Sequence, residues 1–294
     1  MTTTINELAV PGGGPYGVAA GPDGAMWFTL VHDGKVGRVT PEGEATVHAV
    51  GGDPMNIVRG PDGALWFTEF QNHRIGRVTV EGEVRRFTPP TPACGPCGIT
   101  VGPDGALWFT EMNTDRVARL TVEGSFTEFA LPVAGGYPSM ITAGSDGALW
   151  FTLNQAHAIG RITVDGEATV HPLPTEGAAP VGIAAGPDGA VWFVEIGAGQ
   201  VGRIAPDGKV GEYPLPDRAA RPHAICAGPD GAMWFTEWGS SRVGRITAGG
   251  RIETYSLAAQ GSEPHGIAAG PDGALWVALE SGALARVAVE NQLA

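Results

Sequence analysis

The sequence has few cysteines and little positive charge. Its 294 residues include 3 cysteines, and 18 lysines and arginines stand against 31 aspartates and glutamates, for a net charge of −13. Three cysteines, an odd number, do not make a disulfide framework. No basic stripe is present to neutralise phosphates, which argues against nucleic acid and anionic membrane surfaces as partners.

Long apolar segments are also missing. The first residues, MTTTINELAV, have neither the basic region nor the apolar region of a signal peptide. No run approaches the roughly 18 apolar residues that a membrane span requires. We therefore expect a cytoplasmic protein, and a monomer whose partner is a small molecule.

Two of the cysteines, Cys94 and Cys97, have the C-x-x-C spacing of redox and zinc sites. No helical pattern follows this motif, and no second C-x-x-C exists to complete a zinc site. The sequence therefore favours two small residues that fill a tight loop.

Glycine and proline are abundant, at 46 and 24 residues, and they punctuate a repeat. The phrase G-P-D-G-A-[LMV]-W-F recurs seven times with little change, and its tryptophans are 39 and then five times 42 residues apart. These tryptophans are Trp27, Trp66, Trp108, Trp150, Trp192, Trp234 and Trp276. Seven repeats of about 40 residues span nearly the whole chain.

Each repeat reads as four strands, A to D. In the fifth repeat, strand A is Pro180–Ala185, strand B is the segment A-V-W-F-V-E that follows a Pro-Asp-Gly turn, strand C is Gln200–Ile204 and strand D is Glu212–Pro216. Four short strands in a repeat of this length are the signature of a propeller blade. The sequence therefore predicts an all-β, seven-bladed β-propeller that forms a single domain over residues 1–294.

The two ends of the chain predict how the ring closes. The last repeat stops after strand C (Leu284 to Val289), and Glu7 to Pro11 resembles the missing strand D. We expect the N-terminal segment to complete the seventh blade and close the propeller.

The functional positions are expected where strand A begins and strand B ends, because these points lie on the same face of the disc. Directly after a second repeated residue, a proline, the blades carry Tyr16, Met55, Cys97, Ser139, Val181, His223 and His265. Four residues after the repeated tryptophan they carry Val31, Phe70, Met112, Asn154, Ile196, Trp238 and Glu280. Most of these residues are apolar or aromatic.

The exceptions fall in blades six and seven, as Arg221-Pro-His223, Glu263-Pro-His265 and Glu280. Two carboxylates and two imidazoles at the mouth of a pocket suggest an acid–base site beside a site for a hard cation.

Other acidic and histidine residues are interpreted as structural. Glu69, Glu111, Glu195 and Glu237 come one residue before the position of Glu280, and we expect them to accept hydrogen bonds from the backbones of neighbouring blades. The remaining histidines show no shared register and are expected on the surface; they are His32, His48, His73, His157 and His171.

The motifs R-P-H-A-I (from Arg221), E-P-H-G-I (from Glu263) and W-V-A-L-E (ending at Glu280) resemble those of virginiamycin B lyases, the streptogramin B lyases. The resemblance includes W-F-T-E and I-G-R-I-T and spans all seven repeats. It implies opening of cyclic streptogramin B antibiotics at their ester without water, and so resistance to the antibiotic. A base removes the α-hydrogen of a threonine residue, and the ester carboxylate leaves the β-carbon.

The resemblance also implies roles for individual residues. Glu263 and Glu280 would hold Mg²⁺, His265 would be the general base, and His223 would contact the substrate near the leaving carboxylate. Magnesium suits this role because it prefers oxygen ligands and keeps positions open for a substrate carbonyl.

Under this interpretation the apolar lining, including Tyr16 and Trp238, would receive the hydrophobic side chains of the macrocycle. Two other functions remain open at this point. One is a metal-dependent lactonase or other ester hydrolase, although such propellers usually present ligands from several blades. The other is a non-catalytic scaffold that binds a peptide across the disc.

Overall fold

The computed structural model describes residues 2–290 and shows seven four-stranded antiparallel sheets, which confirms the predicted all-β, seven-bladed propeller. The strands of blades one to four are β2 (Pro15–Ala20), β3 (Met26–Leu30), β4 (Lys35–Val39), β5 (Ala45–Ala49); β6 (Pro54–Arg59), β7 (Leu65–Glu69), β8 (Arg74–Val78), β9 (Val84–Phe87); β10 (Pro96–Val101), β11 (Leu107–Glu111), β12 (Arg116–Leu120), β13 (Phe126–Ala130); β14 (Pro138–Ala143), β15 (Leu149–Leu153), β16 (Ala158–Ile162) and β17 (Ala168–Pro172).

The strands of the other three blades are β18 (Pro180–Ala185), β19 (Val191–Glu195), β20 (Gln200–Ile204), β21 (Val210–Pro214); β22 (Pro222–Ala227), β23 (Met233–Glu237), β24 (Arg242–Ile246), β25 (Ile252–Ser256); and β26 (Pro264–Ala269), β27 (Leu275–Leu279), β28 (Ala283–Glu290), with β1 (Thr2–Ala9) as the fourth strand of blade seven. A single 3₁₀ turn, Trp238–Ser240, is the helical content of the described chain. Within residues 2–290 there is accordingly no helix of the length and apolarity needed to cross a membrane.

The predicted strands of the fifth blade are largely confirmed. Strands A and C have the predicted bounds, but strand D runs over Val210–Pro214 and not over Glu212–Pro216. The reason is register: Val210 lies opposite Ile204 and Pro214 opposite Gln200, so the five residues of strand C fix where strand D begins and ends.

The ring closes as predicted, through an N-terminal strand that pairs antiparallel with β28. The paired segment, Thr2–Ala9, begins five residues earlier than the predicted Glu7 to Pro11 and ends before Val10. The strand extends toward the N-terminus because β28 runs on to Glu290 and offers a partner as far as Thr2. Pro11 has no amide hydrogen with which to continue the ladder.

The Asp-Gly turn between strands A and B of every blade contains an aspartate that is bound by two side chains of the same sheet. In blade five, Asp188 accepts hydrogen bonds from Trp192 Nε1 at 3.1 Å and from Arg203 Nε at 2.7 Å. Burial alone would raise the pKa of Asp188, but the hydrogen bonds from Arg203 and Trp192 outweigh it and lower the pKa. The same contacts recur at Asp23, Asp62, Asp104, Asp146, Asp230 and Asp272.

A threonine in strand B joins neighbouring blades. Thr110 Oγ1 accepts a hydrogen bond from the Gly98 amide at 2.9 Å and donates one to the carbonyl of Ser139 in the next blade. Thr29, Thr68, Thr152 and Thr236 make the same pair of bonds. Blades five and seven have Val194 and Ala278 at this position and lack this bridge.

The four glutamates that end strand B are buried, which agrees with a structural role; they are Glu69, Glu111, Glu195 and Glu237. The prediction that the backbones of neighbouring blades bind them is wrong. Glu69 pairs with Arg74 and Arg86, and Glu195 accepts a hydrogen bond from Gln200 at 2.7 Å, so the partners are side chains of the same blade. Strand B ends at these residues and points them toward strands C and D of their own sheet. One carboxylate oxygen has no partner in Glu111, Glu195 and Glu237.

Thr110 and Val194 provide a matched test of the blade-to-blade bridge. Replacing Thr110 by Val leaves a buried amide and a buried carbonyl without a partner, and it should lower the free energy of unfolding by about 1–3 kcal/mol. The near-isosteric Val194→Thr should raise it by about 0.5–1.5 kcal/mol, since the Gly182 amide and the His223 carbonyl lie at the corresponding positions. Urea unfolding measures both variants. A destabilised Val194→Thr variant would contradict the bridge.

Glu195 should make stability depend on pH. Burial, the largest cause, raises its pKa from 4.5 to about 7, with repulsion from Glu212 adding to the effect and the Gln200 hydrogen bond opposing it. A raised carboxyl pKa favours the folded state below about pH 4.5 and opposes it increasingly as pH rises to 7. Glu195→Gln should therefore gain stability over the parent protein between pH 5 and pH 8, by up to about 3 kcal/mol.

Unfolding in urea at pH 5 and pH 8 checks this expectation. Glu69→Gln is the control, because it removes the partner of two arginines from the same position of another blade and should destabilise. If the difference in the free energy of unfolding between Glu195→Gln and the parent protein were the same at pH 5 and pH 8, the burial argument would be refuted.

Candidate functional site

The loops that enter strand A and leave strand B lie together on one face, as predicted, and backbone hydrogen bonds join them. The amide of Glu280 donates to the carbonyl of Glu263 at 3.1 Å, and the amide of Trp238 donates to the carbonyl of Arg221 at 3.1 Å. Blades one, three and four have the same link. The repeat therefore fixes the positions of these loops and leaves their side chains free to differ.

A central cavity of about 200 Å³ opens where the first strands of the blades converge. Six of the seven residues that follow the repeated prolines line it: Tyr16, Met55, Cys97, Ser139, Val181 and His223. Of the second set, only Met112 lines this cavity, and Trp238 instead lines a separate cleft beside it. Trp238 therefore lies outside the lining of the central cavity, although Met112 at the equivalent blade position is part of it.

His265 and Glu280 form the centre of the predicted polar cluster. The Nε2 atom of His265 is 2.5 Å from Oε2 of Glu280, and His265 is 7% exposed. The ring of His223 lies edge-on to that of His265, with 4.8 Å between centroids. The ring of Tyr16 stacks on His265 at 4.4 Å, and its hydroxyl is 3.5 Å from Nε2 of His223. Strand A of blades one, six and seven thus brings three rings into contact.

Both imidazoles of this cluster are neutral at pH 7. Burial lowers the pKa of His223 to about 3, with a smaller contribution from His265. Burial also lowers the pKa of His265, although the hydrogen bond and negative charge of Glu280 and the charge of Glu263 oppose it. Burial raises the pKa of Tyr16 well above its usual value. The cluster is therefore an uncharged group of rings beside carboxylates, and a neutral imidazole can accept a proton.

His32 belongs to this site, although sequence reasoning placed it on the surface without a role. It is exposed, but its Nε2 atom is 3.0 Å from Oε1 of Glu280. Its ring lies against Gly14, where a Cβ atom would be 2.4 Å from Cδ2 of the ring. His32 comes from blade one and Glu280 from blade seven, so this contact exists only because the ring closes. No local motif could have indicated it.

The other four histidines fall into two pairs, which corrects the prediction that they share no register. His73 and His157 have positive φ, and their Nδ1 atoms accept hydrogen bonds from the amides of Gly95 and Ala179. His48 and His171 stack on the repeated tryptophans of their own blades. All four stabilise loops or blades, and none contacts the cluster.

The carboxylates of Glu263 and Glu280 suit a magnesium ion that takes two ligands from the protein and its other ligands from water and substrate. The side chain of Glu263 is exposed, and its carboxylate has no hydrogen-bonding or ionic partner among residues 2–290, while the Glu280 side chain is 26% exposed. The described part of the chain contains no cluster of three or more histidine, cysteine or acidic side chains that could enclose a metal. Magnesium is commonly held by one or two carboxylates, with water and substrate oxygens completing its shell. The donor set matches that pattern.

Cys94 and Cys97 are free and buried. Burial raises the pKa of both thiols to about 12, so neither is ionised at neutral pH. Cys97 contributes to the apolar wall of the central cavity. This arrangement agrees with the packing role expected for the C-x-x-C segment.

Comparison with known proteins gives a consistent set of relatives. A model of the virginiamycin B lyase family matches residues 2–287. The virginiamycin B lyase of Saccharopolyspora erythraea is 63% identical over 43 residues, which are 15% of this chain and 14% of the relative. That of Streptomyces coelicolor is 61% identical over 52 residues, 17% of each chain. These alignments thus span less than one fifth of the curated relatives.

Solved structures match over the whole propeller. A streptogramin B lyase superposes with a TM-score of 0.94, at 42% identity over 98% of both chains. The virginiamycin B lyase of Staphylococcus aureus has a TM-score of 0.94 and 40% identity over 98% of this chain and 100% of that one. A catalytically inactive variant of the Staphylococcus aureus enzyme, with a histidine replaced by alanine, was solved with quinupristin and is similar at 41% identity, a TM-score of 0.94 and the same coverage.

Proposed function

The chain belongs to the virginiamycin B lyase family, and we propose that it linearises cyclic streptogramin B antibiotics by β-elimination at their ester bond. The observation that carries this proposal is the buried imidazole of His265, in contact with Glu280 and packed against Tyr16 and His223 of the central cavity. An antibiotic opened in this way is no longer a macrocycle, so the activity would confer resistance. The loss of activity in a histidine variant of the Staphylococcus aureus relative supports an essential imidazole in the family.

The reaction needs a base and a means of stabilising charge, and no water. The α C–H bond of the threonine residue breaks, its electron pair forms the C=C bond, and the β C–O bond breaks. The pair from that bond goes to the departing carboxylate, and the proton goes to the base. An α-proton beside an amide is a very weak acid, so charge that develops on the carbonyl must be stabilised.

We assign the role of base to His265 and propose that its Nε2 atom accepts the substrate proton. A carboxylate can only accept, so Nε2 carries the hydrogen while Glu280 binds it, and the lone pair is then on Nδ1, which is buried. If Glu280 were to ligate a magnesium ion, its carboxylate would no longer be needed as the acceptor for Nε2, and the uncharged ring could carry its hydrogen on Nδ1 instead. The lone pair on Nε2 then faces the mouth of the site. Stacking on Tyr16 holds the ring in place during this change.

His223 is proposed to contact the substrate near its leaving carboxylate. It lies edge-on to His265 and lines the central cavity, so a substrate in the cavity meets both rings. Being neutral, His223 can donate a hydrogen bond to an oxygen that gains charge, while the apolar cavity wall receives hydrophobic side chains of the macrocycle. His32 holds one oxygen of Glu280 and so restricts the orientation of that carboxylate.

Magnesium, held by Glu263 and Glu280, would supply positive charge to the amide carbonyl next to the α-carbon. The proposed site suits this role because both carboxylates adjoin the base and are open to solvent.

The reaction type can be tested by mass and by isotope. Ring opening by elimination adds no mass, creates ultraviolet absorbance from a conjugated C=C bond and incorporates no ¹⁸O from labelled water. His265→Ala should lower kcat by at least the roughly 10²–10⁴-fold that a positioned base contributes. A product heavier by one water would indicate a hydrolase, and an unchanged antibiotic would favour a binding scaffold.

The metal requirement can be tested on the two carboxylates. Activity should disappear in EDTA and return with Mg²⁺, and Glu263→Gln and Glu280→Gln should each raise the Mg²⁺ concentration for half-maximal activity steeply, because each removes an anionic ligand. Glu176→Gln is the control, since Glu176 is exposed in another blade. Full activity of either site variant in EDTA would rule out the proposed ligands.

A further inference from the structure

A second cleft adjoins the candidate site, between blades six and seven. It has a volume of about 480 Å³ and shares no lining residue with the central cavity. Its walls include Arg221, Trp238, Ser240, Ser241, Gln260 and Glu263. Neither Arg221 nor Trp238 has a role in the chemistry described above.

Trp238 presents a buried hydrogen-bond donor that lacks an acceptor. The chain has eight tryptophans, and the seven repeated ones each donate Nε1–H to the aspartate of their own turn. Trp238 Nε1 is buried and has no partner within residues 2–290. A buried polar group without a partner costs about 1–3 kcal/mol, so an acceptor supplied by a ligand at this wall would remove that cost.

Arg221 adds a positive charge to the same wall. Its guanidinium carbon lies 5.5 Å from the centre of the Trp238 ring, and it pairs with no carboxylate in the described chain. Arg221 and Glu263 stand at equivalent positions of neighbouring blades, each directly before the repeated proline, with φ of 49°. Both residues line the cleft, one with a positive and one with a negative side chain. The guanidinium and the indole N–H remain as the donors available to an anionic oxygen.

The cleft lies within one side-chain length of the proposed base. The centre of the Trp238 ring is 6.4 Å from that of His265, and Arg221 is two residues before His223. In the proposed elimination, the departing oxygen is bonded to the carbon next to the one that loses its proton. An oxygen that leaves near His265 can therefore receive a first hydrogen bond from His223, and the donors of the adjoining cleft, Trp238 and Arg221, lie next to it.

We infer that this cleft is the receiving site for the carboxylate released from the ester, bound by Arg221 and by the Nε1–H of Trp238. This inference rests on the proposed function. The negative charge on that oxygen grows as the C–O bond breaks, so donors placed there stabilise the transition state more than the ground state. Arg221 and Trp238 are thus assigned to the leaving-group side of the reaction.

The test compares two ligands that differ only at the carboxyl group. The ring-opened streptogramin B peptide, prepared chemically, and its methyl ester are titrated by calorimetry against the protein in EDTA. We expect the parent protein to bind the carboxylate at least tenfold more tightly than the ester. Arg221→Gly should remove this preference, Arg221→Lys should restore part of it, and Trp238→Phe should reduce it while keeping the aromatic ring.

Arg221→Gly should fold, because glycine occupies the equivalent position in blade one, at Gly14, and in blade three, at Gly95. Tyr137→Gly is the matched control, since Tyr137 has the equivalent position and φ of 52° in blade four, away from the cleft. This control should keep the preference for the carboxylate.

Two results would overturn the inference: a preference unchanged in Arg221→Gly, or no preference in the parent protein without Mg²⁺, which would place the carboxylate on the cation. Failure of the proposed function shows itself differently, as a protein that leaves the cyclic antibiotic intact. If the antibiotic is opened and Arg221→Gly retains both kcat and the preference, the lyase assignment stands and the cleft assignment falls.

Discussion

The architecture depends on the hydrogen bonds made by one repeated residue, the aspartate of the Asp-Gly turn between strands A and B. In every blade it accepts a hydrogen bond from the indole of strand B and another from the arginine of strand C, so one carboxylate joins the turn and two strands. The tryptophan held in this way is buried between neighbouring sheets. The hydrogen bond from the arginine is strengthened by the charges of both partners. Because these bonds recur in all seven blades, this face of the disc is uniform and rigid. The loops on the opposite face take no part in this hydrogen bonding, so their residues can differ between blades.

The candidate site uses that freedom at the point where the ring closes. His223 belongs to blade six, His265 and Glu280 to blade seven, and Tyr16 and His32 to blade one, so the cluster spans the junction that β1 completes. The two blade junctions that lack the threonine bridge, after Val194 and after Ala278, are the ones whose acceptor carbonyls would be those of His223 and Tyr16. Thr236 thus bridges blades six and seven, whereas the junctions of this pair with blades five and one lack such a bridge.

Much of this could be predicted from the sequence, because the repeat encodes local chemistry. Strand spacing, the turns and the closing strand follow from periodicity and turn residues, and the polar positions of blades six and seven stand out as departures from the repeat. The bounds of strands such as Thr2–Ala9 could not be read in this way, since register depends on the partner strand. His32 was missed because its contact with Glu280 joins residues 248 positions apart. The partners of Glu69 and Glu195 were missed for a similar reason, because strand direction and not sequence distance decides which side chains they meet.

The electrostatics of the cluster bear on the proposed removal of a carbon-bound proton. The protein has a net charge of −13, and two carboxylates adjoin His265, which should favour the imidazolium. Burial outweighs this attraction, and burial also lowers the pKa of the neighbouring His223. A base that stays neutral at pH 7 beside negative charge can remove a proton only if positive charge elsewhere stabilises the resulting anion. In the proposed reaction, Glu263 and Glu280 would recruit that charge to the substrate carbonyl, and Arg221 would offer it to the departing oxygen. Stabilising charge would then act at both ends of the elimination.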